Sequence, residues 1–106
     1  FRGSWIADYP DAESFLSVFY GNVPAPPHYT RFKNAEFDSL YTLSLKATNQ
    51  EERFALYQAM DRIVIEEAPI VPLYYDEVLR FSQNNVEGLT ANGLNLLNLK
   101  QVNIKP

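Results

Sequence analysis

The sequence has no cysteine, a single histidine and only four glycines in 106 residues. Without cysteine there can be no disulfide and no thiolate metal site, whereas the redox compartment stays open because many exported proteins also lack cysteine. His28 alone cannot form a multi-histidine metal site, and its proline-rich surroundings predict a loop. No glycine-rich loop that would cradle phosphates is present. We therefore expect neither a metal site nor a cofactor.

Long apolar runs and clusters of positive charge are also missing. No run approaches the ~20 residues that a membrane-spanning helix requires, and no signal-peptide pattern is found. Lysines and arginines occur singly, and the formal net charge is −4. The sequence therefore has no basic cluster that could bind the phosphates of DNA or RNA, and we expect no nucleic-acid partner.

The chain does contain enough apolar surface to fold. Hydrophobic residues make up 46% and aromatic residues 14% of the sequence, which is too apolar for a disordered segment. A length of 106 residues is that of one small domain, and a domain near this size buries a usable core.

Residues 4–11 combine an alternating pattern, the only tryptophan and two aspartates. Because side chains alternate along a strand, the pattern predicts a strand with Trp5 facing one way and the side chains of Ser4, Ile6 and Asp8 the other. Asp11 is a suitable N-cap for a helix that follows. Asp8 has no such structural role, since it lies inside the predicted strand. Asp8 is therefore the first candidate for a functional side chain.

Three helices are predicted after this strand. The first is short, carries apolar residues between Phe15 and Phe19, and is predicted to end at Gly21 in the left-handed conformation. Asn34 is the predicted N-cap of the second helix, and a capping box, either Asn49 with Glu52 or Thr48 with Glu51, is predicted to start the third. The apolar faces of these two helices predict a helical hairpin over residues 34–68.

Strand patterns return after Pro69, which ends the third helix because the residue before a proline is disfavoured in helical conformation. Short strands are predicted at residues 70–75 and 78–81, and an alternating pattern near residues 101–104 predicts another. Asn92-Gly93 predicts a tight hairpin turn. The order of a strand, three helices and further strands is that of the α+β class.

Four segments of the chain form a recognisable set, and their order and spacing resemble the C-terminal part of one protein family. The segments are Trp5-Ile6-Ala7-Asp8-Tyr9-Pro10-Asp11 with Ser14-Phe15-Leu16, Asn34-Ala35-Glu36-Phe37-Asp38, Glu51-Glu52-Arg53 with Leu56-Tyr57, and Glu67 to Tyr75. The family is that of bacterial extracellular solute-binding proteins of peptide, oligopeptide and nickel ABC importers. The resemblance covers nearly the whole chain. Members of this family take peptides, nickel, haem or sugars, so the ligand class stays open.

The resemblance implies a two-lobed, periplasmic-binding-protein-like fold around a cleft. Residues 1–75, including the hairpin at 34–68, are then the end of the second lobe. Residues 76–106 cross a hinge and return as strands to the first lobe. The implied partners are the remainder of a longer chain, a peptide ligand and an ABC permease in the membrane. The implied location is extracytoplasmic, either periplasmic or lipid-anchored to the outer face of the cell membrane.

The resemblance also implies which residues touch the ligand. In peptide-binding members, the aspartate of Trp-x-Ala-Asp-Tyr contacts the amino terminus of the ligand, and Asp8 matches it. Flanking residues in those proteins pair with the peptide backbone like an added strand, which assigns Ser4, Trp5 and Ile6 to the site. Tyr74 is assigned to the hinge side of the cleft.

Two other classes of function are compatible with the residues. An acid-dependent hydrolase would use Asp8 and Asp11 as its pair of carboxylates, although the sequence offers no nucleophile with an adjacent base. A structural helical interaction module would use the hairpin as a docking surface and would need no ligand cleft. For Asp8 the alternative to a binding role is a surface carboxylate or one satisfied within the core. We expect a binding protein rather than an enzyme.

Overall fold

The computed structural model describes residues 2–106. Its elements are α1 (Glu13–Leu16), a 3₁₀ turn (Ser17–Phe19), α2 (Ala35–Ser44), α3 (Gln50–Glu67), β1 (Val86–Glu87) and β2 (Asn103–Ile104). Helices followed by a small strand pair agree with the predicted α+β class. The chain divides into two compact units, one ending at Pro72 and the other comprising Leu73–Pro106. No helix in the described part of the chain has the length and apolar character needed to span a membrane.

Helices α2 and α3 form the predicted hairpin. Asn34 caps α2 as predicted, and Asn49 rather than Thr48 caps α3, bonding the N–H of Glu51 and not that of Glu52. The side-chain oxygen of Asn34 accepts the backbone N–H of Phe37 at 3.0 Å, and that of Asn49 accepts the N–H of Glu51 at 2.8 Å. Each bond satisfies a backbone donor that the helix itself leaves unpaired. Helix α3 ends at Glu67, directly before the predicted stop.

The core of the first unit lies where the hairpin meets α1 and the 3₁₀ turn. Phe37 and Met60 are fully buried at its centre. Phe19 and Phe32 each pack edge-to-face against Phe37, with ring centroids 6.3 Å and 5.9 Å away. Such pairs add to the free energy gained from burying the rings themselves. This packing fixes α1, and therefore the residues just before it, against the hairpin.

Gly21 follows the first helical segment as predicted, but the reason given for it is wrong. Its φ angle is not positive, so it is no left-handed cap. Its N–H donates to the Asp38 carboxylate at 2.8 Å, and an added Cβ would lie 2.6 Å from an oxygen of the same carboxylate. Glycine is needed here for close approach rather than for an unusual backbone angle.

Three predicted strands do not form. Residues 4–8, 70–75 and 78–81 belong to no ladder in the structure. An alternating pattern favours extended backbone, but a strand also needs a second segment to pair with. The part of the chain that the structure describes offers no such partner to these three segments. Its one ladder joins β1 to β2, with Val86 opposite Ile104 and Glu87 opposite Asn103.

The second unit, Leu73–Pro106, is held by polar contacts around this ladder. Lys105 forms an ion pair with Glu87 at 2.6 Å, and the Arg80 guanidinium donates to the carbonyl oxygens of Asn95 and Leu96. The tail strand forms near its predicted position. Asn92-Gly93 lies in a turn region that joins no pair of strands, so the predicted hairpin there is wrong.

Candidate functional site

The residues around Asp8 are fastened to α1 through Ser14. The indole Nε1–H of Trp5 donates to the backbone carbonyl of Ser14 at 2.7 Å. The backbone N–H of Asp8 donates to the hydroxyl oxygen of Ser14 at 3.0 Å. Ser14 itself is only 2% exposed. The prediction that Trp5 and Asp8 lie on opposite faces of a strand is therefore replaced by a different arrangement, in which both are held by one buried residue.

The carboxylate of Asp8 is left available by this arrangement. Asp8 is exposed, and within residues 2–106 its carboxylate accepts no hydrogen bond and forms no ion pair. The backbone of Asp8 is thus fixed, while its carboxylate has no hydrogen-bond or ion-pair partner among the described residues. A carboxylate of this kind is suited to a charge-assisted hydrogen bond with a cationic group.

The other predicted site residues are exposed as well. Ser4 lies on the surface, and Ile6 is 74% exposed. Trp5 is 39% exposed, and its indole N–H is bonded to the first residues of α1 through the Ser14 carbonyl. Tyr74 is exposed and belongs to the second unit, whereas Ser4 to Asp8 belong to the first.

Asp11 has the predicted structural role, since its carboxylate accepts a backbone N–H at the start of the helix. Helix α1 starts at Glu13, which makes Ala12 the formal cap, and the Asp11 carboxylate accepts the Glu13 N–H at 2.9 Å from one residue further back. It also pairs with Arg53 at 2.9 Å. The Glu13 N–H, together with the Tyr57 hydroxyl and Arg53, lowers the pKa of Asp11 against the opposing effect of burial. A carboxylate that is bonded and stays ionised is a poor proton donor, which argues against an Asp8/Asp11 hydrolase.

Comparison with known proteins decides the family. The chain is 33% identical over 90 residues to the periplasmic oligopeptide-binding protein OppA of Escherichia coli, covering 85% of this chain and 16% of the relative. It is 33% identical over 87 residues to the probable deoxycholate-binding periplasmic protein YgiS of Escherichia coli, covering 82% and 16%. It is 29% identical over 100 residues to the dipeptide-binding protein DppE of Bacillus subtilis, covering 93% and 18%. The chain belongs to the bacterial solute-binding protein family that contains the peptide-binding proteins.

The chain spans less than a fifth of the length of those relatives. The relatives are named as binding proteins and not as enzymes. No protein-family model matches the chain.

The contacts of Glu13 were not predicted from the sequence. Its carboxylate accepts hydrogen bonds from the hydroxyls of Tyr9 and Tyr41. Burial, followed by this bond to Glu13, raises the pKa of Tyr41. Tyr41 lies 28 positions away on α2, so no local pattern indicates the contact. The spacing of four residues between Tyr9 and Glu13 is the one signal that the sequence carries.

A depression of about 380 Å³ adjoins these polar contacts, but the predicted site is not inside it. It is lined by Tyr9, Asp11, Glu13, Ser44, Leu45, Ala47, Arg53 and Tyr57. Its two carboxylates already accept hydrogen bonds from neighbouring tyrosines and backbone. Among the described residues no group of three or more histidine, cysteine, aspartate or glutamate side chains is placed to hold a metal ion.

Proposed function

We propose that this chain is part of the substrate-binding component of an ABC importer. The complete protein captures a peptide between two lobes outside the cytoplasm and delivers it to a membrane permease. It performs no chemistry on the peptide. The support comes from family membership, from relatives named for peptide, oligopeptide or dipeptide binding, and from the state of Asp8.

The observation that carries the proposal is the unused carboxylate of Asp8 on an anchored backbone. Asp8 is exposed and its carboxylate has no partner within residues 2–106, while its N–H is held by Ser14. The α-ammonium of a peptide supplies the missing partner. A charge-assisted bond to that group is stronger than a neutral one and disfavours ligands that lack the charge.

The residues directly before Asp8 suit recognition of a peptide main chain. Residues 4–7 form no ladder within the described part of the chain, so they can pair with an incoming peptide as with an added strand. Such pairing reads backbone groups and leaves the ligand side chains free. One site then accepts peptides of many sequences.

The charge of Asp8 also distinguishes between the ligand classes of the relatives. YgiS is named for deoxycholate, which carries a carboxylate and no ammonium group. An exposed aspartate would repel such an anion and attract an amino terminus. We therefore place this chain with the peptide binders.

The two-lobed arrangement, with residues 1–75 in the second lobe and 76–106 returning to the first, is part of the same proposal. Several large side chains in and beside the predicted strands lie open, with Tyr75 95% and Phe81 94% exposed. Contiguous exposed apolar side chains are unusual unless another surface covers them. The remainder of a longer protein is the partner that we propose for them.

The experiment that tests this function is isothermal titration calorimetry of the complete protein with short alanine peptides, followed by mass spectrometry of the recovered peptide. We expect saturable binding and an unchanged peptide. Recovery of cleaved peptide would support the hydrolase. Failure to bind peptides, combined with capture of a protein partner on the α2–α3 hairpin, would support the interaction module.

A further inference from the structure

Ser14 does more than pack in the core. It contacts both ends of residues 5–8, which belong to the candidate ligand-binding segment. Its carbonyl accepts the Trp5 indole N–H at 2.7 Å and its hydroxyl accepts the Asp8 backbone N–H at 3.0 Å. A serine on an apolar helix face is ordinarily a small packing residue. Here the carbonyl accepts from Trp5 as well as from the Ser17 hydroxyl at 3.2 Å, and the hydroxyl accepts from Asp8, outside the helix.

The Ser14 hydroxyl does more for Asp8 than fill space. Ser14 is 2% exposed, so its hydroxyl cannot swing into solvent, and its position is set by the core of the first unit. Asp8 lies in a bend that belongs to no ladder, so no regular secondary structure holds it. The bond from Ser14 therefore transfers the rigidity of the core to the backbone of Asp8.

A second set of contacts holds the chain immediately after Asp8. The Tyr9 hydroxyl donates to Glu13, whose carboxylate also accepts from Tyr41 on α2. The Asp11 N–H donates to the Tyr9 carbonyl at 2.8 Å. Asp8 is thus held on its amino side through Ser14 and on its carboxyl side through Tyr9, while its own side chain stays outside these contacts.

We propose that Ser14 is a positioning residue that sets the place of the Asp8 carboxylate for the amino terminus of a peptide. The inference rests on the proposed function of Asp8. A flexible aspartate would lose conformational freedom whenever a ligand arrived, and that loss weakens binding. The Ser14 bond restricts the segment beforehand, so the ammonium group meets a carboxylate on a fixed backbone.

The test is Ser14→Ala in the complete protein, which removes the hydroxyl acceptor and keeps the carbonyl that Trp5 uses. We expect the affinity for short alanine peptides with a free amino terminus to fall roughly fivefold, the scale of one lost neutral hydrogen bond. Affinity for the N-acetylated peptides should stay unchanged, because they do not use the Asp8 charge. Equal losses for both peptides, or no loss for either, would overturn the proposal.

The matched control is Ser44→Ala. Ser44 is also 2% exposed and its hydroxyl donates to the Tyr41 carbonyl at 2.8 Å within α2. It has no hydrogen bond to residues 4–8. Removing this hydroxyl should leave the preference for the free amino terminus intact. An equal loss of preference in both variants would mean that Ser14 acts only through general stability.

A spectroscopic measurement separates positioning from a general loosening of α1. The indole N–H resonance of Trp5, identified by its disappearance in Trp5→Phe, should be unchanged in Ser14→Ala, while the Asp8 amide should exchange with solvent faster. Loss of both signals would show that the helix has moved as a whole, against the proposal. If Ser14→Ala does not fold, hydrogen exchange in the unmodified protein decides: a protected Asp8 amide supports the role of Ser14, and an unprotected one contradicts it.

Failure of the proposed function gives a different result from failure of this inference. If Asp8 does not read the amino terminus, the unmodified protein binds free and acetylated peptides equally well, whatever residue occupies position 14, and both proposals are overturned. If only the role of Ser14 is wrong, the unmodified protein binds free peptides more tightly than acetylated ones, and Ser14→Ala shows the same preference.

Discussion

Asp11 and Arg53 form an ion pair with 2.9 Å between carboxylate oxygen and guanidinium nitrogen. The pair joins the residues just before α1 to the first turns of α3, which are far apart in sequence. The Arg53 guanidinium also lies 5.9 Å from the centroid of the Tyr57 ring, and the Tyr57 hydroxyl helps to lower the pKa of Asp11. These contacts connect the segment carrying the candidate site to the hairpin that forms the core.

The first prediction concerns the pH dependence of this connection. The pKa of Asp11 is lowered from 3.8, first by the Glu13 N–H and then by Tyr57 and Arg53, against burial. A carboxylate with a lowered folded-state pKa adds stability above its unfolded pKa, and that stability is lost as the pH falls through the folded value. We therefore expect Asp11→Asn to reduce the loss of stability below about pH 4.

An NMR titration of the Asp11 carboxyl group checks the cause directly. The midpoint should lie below 3.8 in the unmodified protein. Arg53→Ala should raise it only in part, because the backbone N–H of Glu13 has the largest effect. A return to the ordinary value in Arg53→Ala would show that the ion pair dominates instead.

The second prediction is that the hairpin is scaffold. Met60 is 0% exposed at the centre of the core, so Met60→Ala should lower the free energy of unfolding by about 2–5 kcal/mol, as buried truncations do. Urea unfolding of the complete protein measures the loss, and calorimetry should show the same order of preference among peptides. Ile65→Ala is the control, since Ile65 on the same helix is 57% exposed and should change stability by only about 0.5 kcal/mol. A changed peptide preference at unchanged stability would contradict a purely structural role.

Short-range sequence patterns predicted the helices well. Strand pairing and contacts between residues distant in sequence could not be predicted from such patterns. The caps Asn34 and Asn49 act on backbone groups two or three residues away, so a short sequence window contains both donor and acceptor. The alternation at residues 4–8 and 70–75 shows extended backbone but not which segment pairs with it. Glu13 was missed for the same reason, since Tyr41 reaches it only after the chain has folded.

The candidate site itself was predicted only in part. Asp8 was selected because nothing local explained a carboxylate in that place, and the structure agrees in showing no partner for it within residues 2–106. Ser14 appeared only as one residue of a recognised segment. Its contacts with Trp5 and Asp8 depend on a turn whose exact path the sequence pattern does not specify.

The third prediction is that the 106-residue chain alone unfolds with poor cooperativity. No residue between Leu73 and Pro106 is buried, so this unit lacks the packed core that makes unfolding all-or-none. Hydrogen exchange should show protected amides in α2 and α3 and nearly unprotected amides in residues 73–81. A single sharp melting transition of the monomer, with protection in both units, would count against the two-lobed assignment.

The central claim is that Asp8 holds the amino terminus of a peptide, and Asp8→Asn in the complete protein tests it most directly. Asparagine keeps the shape and one acceptor oxygen but removes the charge. A hydrogen bond to a charged group is worth about 1.5–3 kcal/mol, so affinity for free peptides should fall roughly ten- to hundredfold. Asp11→Asn is a matched control, because the Asp11 carboxylate is already bonded to Glu13 and Arg53, and it should leave this affinity nearly unchanged.

The deciding measurement is calorimetry of the unmodified protein and Asp8→Asn with free and N-acetylated peptides, a double-mutant cycle between one side chain and one ligand group. We expect acetylated peptides to bind the unmodified protein weakly and to lose little more affinity in Asp8→Asn. The coupling free energy between the Asp8 charge and the ammonium group is then close to the whole loss of binding free energy seen with free peptides. Equal losses of affinity for free and acetylated peptides would contradict binding of the amino terminus by Asp8, because Asp8 would then stabilise the fold rather than contact the ligand.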